Sequence, residues 1–253
     1  MSFLPAELDK LAIGRVDNPM EDQPRKKEQP FNPVSPVVVV LVVAMVAVEL
    51  VFQAAENRLI GGPMAEGWRV EMMRFFGFHK AVFDHISLGG EIEPKVVWPF
   101  FSYLFINRTF MHMLVATALI LAMGKMIADM FSGLAVLVIF VACGLAGALA
   151  FGIFSKAGGF PLIGAYPVFY GFIGTFTWIQ IFELRGQGKS IFPAFYALIS
   201  LAVLRVGFTL YAGVANDWMA DLAGLIVGFL LAYILAPDGK DRIRGWVRAI
   251  RER

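Results

Sequence analysis

LIGAYPVFYGFIGTF, residues 162–176, decides how this chain is read, because it lies where the sequence is otherwise crossing a membrane. The run is apolar, yet it carries three glycines, a proline and two tyrosines. Gly164, Gly171 and Gly174 are spaced by seven and three residues, which sets small side chains along one side of a helix. In lipid, helices associate through close packing rather than hydrophobic expulsion, and small residues allow that approach. The glycines therefore read as helix packing, and Ala220, Gly224 and Gly228 supply a matching face in a later segment. Packing leaves Tyr166 and Pro167 unexplained. A proline in the first turn is easily tolerated and a tyrosine near an interface is ordinary.

Working outward, the same character extends over most of the chain. Its 253 residues are 58% apolar and 17% charged, with 24 phenylalanines, outside the usual globular balance. A bilayer core about 30 Å thick takes roughly 20 apolar residues per helix. Six stretches qualify: about 36–55, 108–127, 133–154, 162–182, 191–212 and 217–236. The expected fold is an all-α integral membrane bundle of six transmembrane helices. Residues 1–35, rich in proline and mixed charge, form a mostly disordered lead-in. Residues 36–236 form the membrane domain, and 237–253 form a basic tail. In that tail Ile243, Trp246, Val247 and Ile250 recur at helical spacing among arginines, the pattern of a helix lying on a membrane surface.

Several classes are excluded. The single cysteine, Cys143, permits no disulfide within one chain, and three histidines with that cysteine make no zinc-type cluster. No metal or cofactor is expected. A net charge of +2 gives no reason to invoke nucleic acid. The N-terminal segment lacks a charged-then-apolar leader with a cleavage site. Fourteen lysines and arginines fall on the side shared by the termini, against six on the other side plus Arg108 at a helix mouth. Both termini are therefore expected in the cytoplasm.

The longest connection, about 56–107, faces outward. Its segment MAEGWRVEMMRFFGFHKAVFDHI, residues 64–86, alternates large apolar groups with Arg69, Arg74, Lys80 and Asp84, and Gly77 interrupts it. Those charges make a crossing costly, so the segment is expected in the interface, with His79 and His85 as exposed or interfacial residues.

Three motifs then fall in order. They are WPFFSYLFINRTFMHMLVATALILAMGKMIAD in the second span, the glycine spacing of the opening stretch in the fourth, and WMADLAGLIVGFLLA in the sixth. Together with six spans and a long first outer loop, they resemble the rhomboid family of intramembrane serine proteases. The resemblance covers about 36–236. It implies a rhomboid-like bundle in a bacterial inner (plasma) membrane, with a lateral opening beside the fifth span.

The departures fall on the chemistry. Tyr166 stands where the family has its nucleophilic serine, and Pro167 where a glycine follows it. Asp221 takes the place of the histidine base. His112 matches the oxyanion-side histidine, but Ala116 replaces the asparagine four residues on, and the tryptophan–arginine pair of the first loop becomes Trp98 and Pro99. An amide-cleaving serine needs a base within reach and donors aimed at the developing oxyanion. A tyrosinate is a poor nucleophile for peptides, and Pro167 removes a backbone N–H.

The expected function is that of a pseudoprotease, binding transmembrane segments of partner proteins at a cleft of Tyr166, Pro167, Asp221, Arg205 and His112. An active protease with unorthodox residues and an accessory subunit of a larger membrane complex are the alternatives. Glu49, Arg205 and Asp221 are charges within spans, each either snorkelling alone or paired in a water-reached cavity.

Overall fold

The computed structural model describes residues 33–156, 158–196, 198–200, 203 and 217–236. Helix α1 runs over Pro36–Glu56, with proline in its first turn, where no backbone N–H partner is needed. It ends in a tight cap: Arg58 takes a left-handed φ of 59°, and Leu59 N–H donates to the Ala54 carbonyl at 2.8 Å. A 3-10 turn over Gly62–Gly67 leads into the short helices α2 (Trp68–Phe76) and α3 (Lys80–Ser87). Gly77 separates these two, so the interrupted segment is two helices with a sharp break. Two single-turn helices, α4 (Pro94–Val97) and α5 (Pro99–Ser102), and a 3-10 turn over Tyr103–Phe105 complete this long connection.

The long helices follow: α6 (Phe110–Met130), α7 (Gly133–Phe154), α8 (Tyr166–Gly186) and, after a 3-10 turn at Phe192–Phe195, α9 (Trp218–Leu235). Thr109 caps α6 by accepting from His112 N–H, and Ser132 caps α7 by accepting from Ala135 N–H. Only two residues join α6 to α7, which makes them antiparallel neighbours.

Among the described residues four helices, α1, α6, α7 and α9, are long and apolar enough to cross a membrane. Their outward faces stay apolar: Val40, Val43, Leu137, Ile153, Ile226 and Leu230 are all exposed. A helix apolar on every side belongs in lipid, and this is an integral membrane protein. Helix α8 is equally long but less apolar, for a structural reason. Val168, Phe172, Thr175 and Thr177 along it are fully buried, so protein rather than lipid surrounds much of its surface. The fourth stretch read from the sequence thus begins at Tyr166 rather than 162. Most of the fifth, 191–212, lies outside the described residues, as do residues 1–32 and the tail from 237.

The long connection docks through its aromatics and one backbone pairing. Phe78, fully buried, meets Phe100 edge-on at 4.6 Å and Phe151 of α7 at 6.4 Å. Its backbone exchanges hydrogen bonds with Leu162 at 3.0 and 2.9 Å, tying the loop to the segment that enters α8.

Candidate functional site

The chain enters α8 through a turn that glycine alone suits. Gly164 has φ +88°, and a Cβ added there would lie 2.7 Å from His112 Cε1. The sequence reading set Gly164 on the helix face with Gly171 and Gly174. Instead it lies two residues before α8, where its N–H donates to the Tyr103 carbonyl at 2.8 Å and its bare Cα admits the His112 ring. Tyr166 and Pro167 open the helix, so the proline's missing N–H removes no helical hydrogen bond.

His112 lies in the first turn of α6. Its Nδ1 accepts from Arg108 N–H at 3.3 Å, which leaves Nε2 as the protonated nitrogen of the neutral ring. Tyr166 lies over that ring, with centroids 4.8 Å apart and planes inclined by 17°. Both side chains are half-buried. Ala116, one turn further along α6, is buried and brings no donor.

Asp221 is in the first turn of α9 and only 5% exposed. It lies within electrostatic reach of Tyr103, whose hydroxyl donates to the Gly144 carbonyl of α7 at 2.8 Å. Burial first, and then the Asp221 charge, push the Tyr103 phenol well above its ordinary pKa. Tyr103 is therefore a fixed neutral donor.

The α8–α9 seam behind these residues is built from glycine. A Cβ at Gly224 would overlap the Pro167 carbonyl, and one at Gly228 would overlap the Gly171 carbonyl. A Cβ at Gly174 would run into the Leu225 carbonyl of α9, and one at Gly171 into Cys143 Sγ of α7. Thr175 Oγ1 lies 3.0 Å from the carbonyl oxygens of both Gly171 and Gly228, stitching the two helices. Small residues and a hydroxyl across the seam follow the pattern of close helix association in lipid.

The sequence profile described as the Rhomboid domain matches residues 94–238, more than half of the chain. The chain belongs to the rhomboid family. Comparison with curated proteins finds no match. In this rhomboid domain the structure brings together Tyr166, Pro167, Gly164 and His112, and holds Asp221 within electrostatic reach of Tyr103. Arg205, read with Asp221 into the same cleft, lies outside the described residues. Trp98 and Pro99 form the junction of α4 and α5, where Trp98 packs on Phe76 with centroids 5.7 Å apart. Among the described residues no cluster of histidine, cysteine and carboxylates could hold a metal.

Sequence reasoning named Glu49 but missed its partner, Arg69. Glu49, 1% exposed within α1, receives both terminal nitrogens of Arg69 from α2, each at 2.8 Å. Arg69 also reaches Glu56 through Nε, donates to the Asn107 carbonyl at 3.1 Å, and rests on the Phe52 ring at 5.0 Å. Gln53 donates to Glu49 at 3.0 Å. Glu49 does not snorkel alone. Its signal was the recurrence Glu49, Gln53, Glu56 on one face of an otherwise apolar helix.

Proposed function

We propose that this rhomboid-family membrane protein holds or recognises transmembrane segments of partner proteins without cleaving them. The observation that carries this reading is the Tyr166 ring laid on His112. By the family resemblance these are the nucleophile and oxyanion-side positions, and a scissile carbonyl would have to sit between them. The phenol fills that space with an aromatic plane. Pro167 and Ala116 supply no oxyanion donor, and Asp221 is engaged near a buried phenol rather than poised over an alcohol. Within this reading the membrane domain has six spans over 36–236, the 56–107 loop lies in the interface, and both termini are cytoplasmic in a bacterial inner membrane. A partner helix with a small or polar residue near its outer end would meet Tyr166 and Asp221, which an all-leucine helix cannot satisfy.

Purified protein in lipid is expected to leave model transmembrane substrates intact, and serine-directed fluorophosphonates should not label it. Cleavage that disappears in Tyr166→Phe or Asp221→Asn overturns the reading in favour of an unorthodox protease. Tyr166→Ser alone is expected to restore nothing, since catalytic groups act as a unit.

A further inference from the structure

The connection from α7 to α8 leaves the helix at Phe154 and runs through Ser155 and Lys156 to Gly158, Gly159 and Phe160. The start of α3 lies against it. Between them is a cavity of about 120 Å³, lined among others by His79, Lys80, Lys156, Gly158, Gly159 and Phe160. That is room for a group of about four water volumes. The 22 residues of α7 rise roughly 33 Å, so a loop at its end stands level with lipid headgroups.

The charge around this cavity is one-sided. Lys80 Nζ is fixed by the Gly152 carbonyl at 3.0 Å and Asp84 at 2.9 Å. Lys156 is exposed and forms no ion pair among the described residues. Arg108 lies against Phe160, its guanidinium carbon 4.9 Å from the ring centroid, and it too has no carboxylate partner among the described residues. Asp84 is the one carboxylate that the described ion pairs set against these three cations. Ser155 Oγ, just before Lys156, is buried without a hydrogen-bond partner among the described residues and adds a donor beside the loop. Gly158 takes φ +75° with open space around its Cα, so the pocket wall there is bare backbone.

We infer that this pocket binds a phosphate group, the one carried by an anionic phospholipid headgroup at the membrane surface. Lys156 and Lys80 contact the phosphate, and Phe160, with Arg108 against its ring, forms part of the wall. A headgroup lacking its own ammonium suits a pocket whose net charge is positive; a zwitterionic one brings a second cation into it. The bound headgroup braces the loop that leads to Gly164 and Tyr166. The inference is independent of whether the protein cleaves anything.

Native mass spectrometry of the full chain, released from bilayers with equal phosphatidylglycerol and phosphatidylcholine, tests this. Phosphatidylglycerol should be the retained lipid. Lys156→Glu should lower its retention by about fivefold or more, the worth of one basic side chain near a membrane surface. Lys156→Arg should keep it, and Lys95→Glu, at a cation already paired with Glu93, should leave it unchanged. Because Lys156 is exposed, unchanged thermal unfolding of the variants in phosphatidylcholine alone will show that the fold is intact; if Lys156→Glu does not fold, Lys156→Gln takes its place with the same expectation. Equal retention of both lipids, or retention indifferent to Lys156, overturns the proposal. Stabilisation by millimolar inorganic phosphate that depends on Lys156, without lipid retention, identifies a free-phosphate site and overturns the headgroup assignment.

Discussion

Where α8 meets α9 the contact is backbone on backbone, with carbonyls of Pro167 and Gly171 pressed to the bare Cα atoms of Gly224 and Gly228. Where α1 meets α2 it is carried by long side chains, a guanidinium gripped by two carboxylates and laid on a ring. The first junction tolerates no added atom and has no charge to lose. The second has slack in its geometry, but each charge depends on the other. One fails by steric overlap, the other by stranding an ion.

The two failures differ in size and in remedy. Gly228→Leu is expected to cost more than about 4–5 kcal/mol, the range of severe overpacking, measured as lost thermal stability in nanodiscs. A folded Gly228→Leu protein of unchanged stability would mean that the seam is looser than described. Arg69→Met leaves Glu49 buried and unpaired, at about 3–5 kcal/mol. The Arg69→Met, Glu49→Leu double variant should be more stable than Arg69→Met alone, because neither ion is then buried. Additive losses in that cycle would break the contrast. Thr175→Val removes one hydroxyl from the seam while keeping its shape, and about 1 kcal/mol is expected from unfolding midpoints. Smallest of all, Lys125→Ala opens a half-exposed i,i+4 pair with Asp129 and should change stability by about 0–1 kcal/mol.

The contrast also explains what could be read from the chain. The crossing helices α1, α6, α7 and α9 were legible because lipid demands an unbroken apolar run, and a run is a local property. Helix α8 was harder to bound, since a helix shielded by protein is free to carry glycine, threonine and tyrosine. Gly164 looked like a packing residue because spacing alone does not tell a helical glycine from one in a left-handed turn. The stack of Tyr166 on His112 joins two helices far apart in sequence, and no period encodes it. The Glu49–Arg69 grip was half legible. The acidic face of α1 is visible in the sequence, but its partner sits in a loop where an arginine looks solvated.

That grip has a consequence for the order of synthesis. Glu49 is made twenty residues before Arg69, and it lies about 10 Å inside the end of α1. Until α2 docks, the first helix carries a carboxylate with no cation to meet it. The rest of α1 is apolar enough to carry that burden, but Glu49 gains its cation only when the following segment folds back. The burial of Glu49 in α1 is thus coupled to the docking of α2, and a first helix severed from that segment keeps an uncompensated charge.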